Sequence, residues 1–221
     1  MIRSGPPAIR AYYKHRASEY DGIYEIANYR ADLGWLRAWL ARHVKGKSVL
    51  EVAAGTGYWT EVCSRSARRV VATDYNAETL TIAARRRLGP KVALVAADAF
   101  LLPAFKIKFE VGVACLWWSH LKRQEQQKFL AHFFSRLAPG AKLLLIDEAY
   151  RKEMTNSISR HDRFGNRYEL RITTDNVIYE IVKNFPDDSG LRQSLSNLSN
   201  RVRVRRLKHF WAVSARAKTL Q

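Results

Sequence analysis

Three carboxylates and two glycines in the first half of the chain could hold a ligand of definite charge. The run Val49-Leu50-Glu51-Val52-Ala53-Ala54-Gly55-Thr56-Gly57 is an apolar segment ending in a sharp turn, where glycines let the backbone come close to a ligand. A helix starting at Tyr58 would add unpaired N–H groups at the same point. A dinucleotide loop needs a third glycine where Thr60 stands, and a phosphate loop needs Gly-Lys-Ser/Thr where Gly57 is followed by Tyr58-Trp59. Both therefore fit poorly. Glu51, ahead of the turn, would repel a pyrophosphate but suits a cation. Asp74 ends the next apolar run, nineteen residues after Gly55, placed to take both hydroxyls of a ribose. Asp98, in Ala97-Asp98-Ala99-Phe100, ends the third run and can reach an adenine edge. One strand-end acid is explained by capping of the next helix. Three in succession describe a pocket for a positively charged nucleoside without phosphates.

A second group lies further along. Leu116-Trp117-Trp118-Ser119-His120 closes the fourth apolar run, and His120 has the titration range of a general base. A histidine that only shapes the start of a helix explains it equally well. Trp117 and Trp118 alternate across a strand, so one faces the core and the other forms an aromatic wall of the site. Arg160, His161, Arg163 and Arg167 could grip a carboxylate or phosphate of an acidic small molecule, whereas any one arginine alone reads as solvated surface.

The elements that would position these residues alternate. Leu33, Leu36, Leu40 and Val44 share one helical face over 31–44, closed by Gly46. Strands follow at 48–53, 70–73, 92–97, 111–117 and 141–146. Helices fall between them at 58–67, at 76–88 with Asn76 as N-cap, and at 123–137 with Pro139-Gly140 as a stop. Continuous apolar strands alternating with helices imply a parallel sheet covered on both faces, with ligands beyond the carboxyl ends of its strands. Residues 149–166 are polar and aperiodic, a loop or lid. A hairpin at 167–172 and 177–182, a helix to about 198 capped by Asp187 or Asp188, and a closing antiparallel pair at 202–207 and 210–217 complete the chain.

With 221 residues and 47% hydrophobic residues, the chain can bury one sizeable core. No apolar run reaches the roughly 20 residues that span a bilayer, and the N-terminus lacks a secretory signal, so a soluble cytoplasmic protein is expected. Cys63 and Cys115 sit in apolar stretches and read as buried thiols. Lys and Arg total 38 against 20 Asp and Glu, a formal net charge of +18. Such a balance favours an anionic partner, while the even spread of the charges and the lack of a basic tail suit a solvated surface equally well.

Glu51-Val52-Ala53-Ala54-Gly55-Thr56-Gly57, Asp74 and Asp98 resemble the class I S-adenosylmethionine-dependent methyltransferases, over roughly residues 12 to 148. Ala53 stands where that family usually has glycine, a tolerable change if φ stays negative there. The resemblance implies a doubly wound α/β fold, a mostly parallel seven-stranded sheet with an antiparallel final strand and an inserted hairpin or lid. It implies S-adenosylmethionine as cofactor, with Ala53, Gly55 and Gly57 under the methionine part and Glu51 nearby. Asp74 would hold the ribose, Asp98, Ala99 and Phe100 would line the adenine beside Tyr75, and Leu116 would lie near the methyl group. Tyr12 to Asp21 look like the lid helix of small-molecule methyltransferases, with Tyr20 the better closing residue and Tyr12 the weaker.

A single domain over 1–221 is expected: a lid helix at 1–30, a cofactor core at 31–148, a substrate lid and hairpin at 149–183, and closing elements at 184–221. The expected reaction is methyl transfer to O or N of a small-molecule acceptor, anionic or aromatic, without a metal. RNA or protein methylation, prompted by the charge, is the second reading. The base-amine branches of the family carry Asn/Asp-Pro-Pro-Tyr/Phe after the fourth strand, and Trp117-Trp118-Ser119-His120 does not match it. A binding protein that keeps the cofactor fold without transfer is the third. Nothing in the sequence sets the oligomeric state.

Overall fold

The chain opens with a short strand, β1 (Ile2–Arg3), and helix α1 (Pro6–His15), which starts at proline, where the missing N–H would have had no partner within the helix. The computed structural model describes residues 2–154 and 156–218; Met1, Thr155 and 219–221, within the expected lid and terminal segments, lie outside it. Two 3₁₀ turns, Tyr20–Glu25 and Ala27–Tyr29, lead into α2 (Arg30–Val44), so the segment 1–30 is a ten-residue helix followed by turns rather than one lid helix. The alternating part runs β2 (Ser48–Val52), α3 (Tyr58–Ser64), β3 (Arg69–Asp74), α4 (Ala77–Ala84), β4 (Val92–Ala96), β5 (Phe109–Cys115), α5 (Gln126–Phe134) and β6 (Leu137–Glu148). Then come β7 (Ile158–His161), β8 (Arg167–Ile172), β9 (Ile178–Val182), α6 (Asp188–Leu195), β10 (Ser199–Arg206) and β11 (Phe210–Ala217).

Seven strands form the main sheet in the order β10-β11-β6-β5-β2-β3-β4, parallel from β6 to β4, with β11 antiparallel to both its neighbours. Residues of β2 are buried throughout, as a strand covered on both faces requires. Leu36, Leu40 and Trp59 pack with Val49, Val70, Val113 and Leu144 on one face; Phe129, Phe133 and Leu191 pack with Leu50, Leu143, Leu145 and Trp211 on the other. This is the Rossmann-like arrangement expected. The strand order reverses between β2 and β5, and that opens a crevice at their carboxyl ends.

Three local expectations change. The stretch 149–166 is not structureless: β7 pairs with β8, and β1-β9-β8-β7 make a second, four-stranded sheet. The helix expected over 123–137 ends at Phe134, and Pro139-Gly140 fall inside β6. There the pairing slips from Phe109–Leu137 to Val111–Lys142, and an irregularity of this kind is where a strand tolerates a residue without N–H. Ala53 adopts φ +53°, not the negative φ that made alanine unremarkable, so its Cβ is held in the left-handed region.

Two consequences can be measured. At Gly57, with φ +81°, an added Cβ would lie 2.8 Å from the Ala83 Cβ of α4. Gly57→Ala should therefore destabilise the chain by about 2–4 kcal/mol, left-handed strain plus overpacking, as read by urea unfolding; a wild-type midpoint would refute the packing role. Glu51 in β2 is buried, and burial, with Asp74 adding to it, raises its carboxyl from 4.5 to about 8. Between those values the folded chain keeps a proton that the unfolded chain has released, so stability falls as pH rises through the window. Glu51→Gln, neutral throughout, should flatten that fall and unfold at higher urea than wild type at pH 8; parallel pH profiles would count against the buried neutral acid.

Candidate active site

The crevice widens into a cavity of about 460 Å³, of the size that holds a nucleoside cofactor with a small acceptor. Its floor is the turn after β2, where Ala53, Gly55 and Thr56 line it. Asp74, at the end of β3, accepts from the Gly55 N–H at 2.8 Å, and its other oxygen takes the Asn76 N–H at 2.8 Å. That carboxylate therefore caps α4, while the Asn76 side chain donates to the Arg10 carbonyl. Burial holds Asp74 above the usual carboxylate range despite these donors. Asp98, beyond β4, accepts from the Phe100 N–H at 2.8 Å and pairs with Arg10 at 2.6 Å. The Arg10 guanidinium lies 3.5 Å from the Tyr75 ring centre, so α1 is pinned to this rim. Deeper in, Asp21 takes the Thr56 hydroxyl at 2.5 Å and pairs with Arg86, which also donates to the Thr56 carbonyl at 2.6 Å.

The opposite half of the cavity is built from α1, the end of β5 and the second sheet. Leu116 sits at φ +55°, which turns the chain from β5 toward the opening. The 3₁₀ turn Trp118–His120 follows, and His120 Nδ1 lies 2.7 Å from the Val182 carbonyl. A carbonyl only accepts, so Nδ1 carries the proton and Nε2 is the acceptor. Tyr13 meets that Nε2 at 2.7 Å and must donate. Burial, with Lys183 next, pushes the His120 pKa well below 6.5, and burial raises the Tyr13 hydroxyl, so the pair rests as neutral imidazole and neutral phenol. Arg160 reaches the rim, pairing with Glu180 at 2.9 Å and lying 3.7 Å over the Tyr168 ring.

Of the residues singled out from sequence, Tyr20, Ala53, Gly55, Asp74, Tyr75, Asp98, Ala99, Phe100, Leu116, Trp117, His120 and Arg160 line this one cavity. Glu51 and Gly57 stand behind the turn rather than on the cavity surface. No protein group among the described residues reaches the buried Oε2 of Glu51. Trp118 is packed into the core, and Arg163 lies over the exposed Phe164 ring, away from the opening. Tyr12 packs against Tyr179, and its neighbour Tyr13 faces the site instead. Tyr13 and Arg10 are the residues that sequence reasoning passed over. Helical spacing offered a signal for Tyr13, since it lies one turn from Ile9, which also lines the cavity.

A profile described as "Methyltransferase domain" matches residues 49–140, the stretch from the first acid-glycine strand to the start of β6. A demethylmenaquinone methyltransferase of Renibacterium salmoninarum is 26% identical, over 87% of this chain and 84% of the relative. One of Thermobifida fusca is 24% identical, over 89% of each. Among solved structures, a DhpI-SAM-HEP complex superposes with a TM-score of 0.78 at 27% identity, over 95% of this chain and 96% of that one. The chain thus shares its fold with a chain seen holding S-adenosylmethionine. The profile and these neighbours make the chain an S-adenosylmethionine-dependent methyltransferase with the fold of the class I enzymes.

Proposed function

We propose that the enzyme methylates a hydroxyl oxygen or an amine nitrogen of a small-molecule acceptor seated between Trp117, Tyr13 and the second sheet. In this reading S-adenosylmethionine lies along Ala53, Gly55, Asp74 and Asp98, with Tyr75 and Phe100 at the adenine and Leu116 near the methyl group. The cofactor supplies an electrophilic methyl sulfonium; this chain's part is to place the acceptor in line and to receive its proton. Relatives named for demethylmenaquinone support a small ring compound as acceptor. The half-buried Trp117 offers such a ring an aromatic wall. The net charge keeps RNA in the test below as the second reading.

The Tyr13–His120 hydrogen bond carries this reading. With its proton committed to Nε2, the Tyr13 oxygen offers lone pairs to an acceptor O–H or N–H. As that atom takes the methyl group, its proton passes to Tyr13 while the phenol proton moves to His120. The imidazolium so formed stays oriented by the Val182 carbonyl. A buried imidazole of lowered basicity makes a modest base, so the gain belongs at the lower end of general-base effects.

A screen for released S-adenosylhomocysteine over phenols, amines, carboxylates and total RNA should find turnover among small molecules. With such an acceptor, Tyr13→Phe and His120→Asn should each lower kcat about a hundredfold without weakening cofactor binding by calorimetry. Because His120 is neutral until well below pH 6.5, its acid limb in kcat should lie below that value. Full activity in Tyr13→Phe would remove the relay, and turnover of RNA alone would overturn the small-molecule assignment.

A further inference from the structure

Behind the acceptor half lies a second, smaller cavity of about 40 Å³, between the carboxyl edge of β6, the second sheet and the turn before β11. Tyr29, Glu148, Arg151, Arg171, Lys183 and His209 line it. Three of these are cationic and one is an acid, and that acid is engaged: Glu148 takes the Lys183 ammonium at 2.7 Å and the Tyr29 hydroxyl at 3.4 Å. Asp147, behind it, is occupied by Ser119 and faces Lys183. Arg171 spends one nitrogen on the buried Glu169 at 2.8 Å, but its Nε is buried with no protein partner. His209 is 6% exposed, and neither of its ring nitrogens meets a protein group among the described residues. Its backbone N–H is held by Asp32 at 2.6 Å, and its ring packs against the Tyr29 ring with centroids 5.1 Å apart.

Buried polar atoms without partners are rare, and here the Arg171 Nε and both ring nitrogens of His209 belong to residues that line one cavity beside the Lys183 ammonium. We propose that this cavity is an oxyanion subsite that seats a carboxylate or a phosphoryl group between Arg171, Lys183 and His209. The volume admits about three waters or one such head group, and no ring. Its place fits an acceptor's far end. Phe210, next to His209, pairs with Glu148 on β6, and β6 pairs with β5, so the subsite sits two strands from the end of β5. At the usual strand spacing that is about 10 Å, within the reach of a small molecule whose nucleophile meets Tyr13. As the anchor of the acceptor, the subsite rests on the function proposed above; as an anion site it stands without it. It also places the anion beyond the rim, where the sequence pointed to Arg160 and Arg163.

The test follows His209 by ¹⁵N resonances of its ring in the full chain, assigned by their loss in His209→Asn. Inorganic phosphate and acetate are titrated separately at neutral pH, with ionic strength held by chloride. Phosphate should move that one resonance set saturably toward the doubly protonated imidazole, because the anion favours charge on a ring that burial now keeps neutral. Arg171→Gln, with Arg167 still holding Glu169, should weaken the response about tenfold, a melting curve confirming the fold. No saturable shift at tens of millimolar phosphate would overturn the proposal, as would an identical response to chloride or an unchanged affinity in Arg171→Gln. With an acceptor from the product-release screen, competitive inhibition by phosphate assigns the subsite to the acceptor's own anionic group. Non-competitive binding assigns it to a free anion. Failure to find any acceptor leaves the resonance titration intact, so the two readings fail separately.

Discussion

The bond from the Gly55 N–H to the Asp74 carboxylate ties the turn after β2 to the end of β3, and much of the carboxyl edge hangs on it. The same carboxylate starts α4 through Asn76 and Thr79. Ala53 just before the turn is held left-handed, which disfavours an L-residue by about 1–2 kcal/mol. A hydrogen bond to a charged acceptor contributes about 1.5–3 kcal/mol, so one such bond can hold that conformation. Leu116, just after the neighbouring strand β5, carries the same sign of φ. The two strained residues line the crevice where the strand order reverses. Strain therefore sits where the cavity must stay open.

The N-terminal segment is fastened to this edge with unequal strength. Around Asp21, Arg86 joins Thr56 and Glu61 in a network whose guanidinium is 19% exposed. Along α1, Ala8 and Tyr12 are buried against Tyr179 and Ile181 of β9, while its ion pairs stand nearer the solvent. Lys14–Glu78 is open to solvent at both ends, and pairs of that kind contribute about 0–1 kcal/mol. Helix α1, which carries Tyr13 and Arg10, thus joins the second sheet and the rim, while the turn at Asp21 is anchored to the glycine loop itself.

How far the sequence could be read follows from what its patterns encode. Apolar periodicity marks faces that pack on a sheet, so the strands from β2 to β6 and the acids at their ends were legible, as was the cap at Asp187, whose carboxylate takes the Gly190 N–H. Pattern says little of φ, and Ala53 gave no sign of its left-handed backbone. Pro139-Gly140 looks the same as a helix stop or as a strand irregularity, and only pairing with β5 decides it. β7 is exposed on every residue, so it had no apolar rhythm to betray it. The charge was legible as a total but not as a place. On β10, Arg201, Arg203 and Arg205 alternate along an exposed edge strand, where repeated charge deters pairing with another chain.

The acceptor side was the least legible because it is joined by a polar seam. The second sheet meets the main one through residues 182–184: the Val182 carbonyl holds His120, Lys183 reaches Glu148 and Ser119, and the Asn184 N–H meets the Ser119 carbonyl at 2.7 Å. Burial works against the Lys183 charge, yet Glu148 and Asp147 hold it above its ordinary pKa. Buried ion pairs of this kind are poor sources of stability, and apolar residues of equal volume often do as well or better. What an apolar seam could not supply is direction. Each of these contacts has one geometry, and together they fix where His120 Nε2 points and where the Lys183 ammonium stands relative to β5. Oriented contacts between the two sheets are what this seam supplies, and oriented contacts leave no periodicity in the sequence.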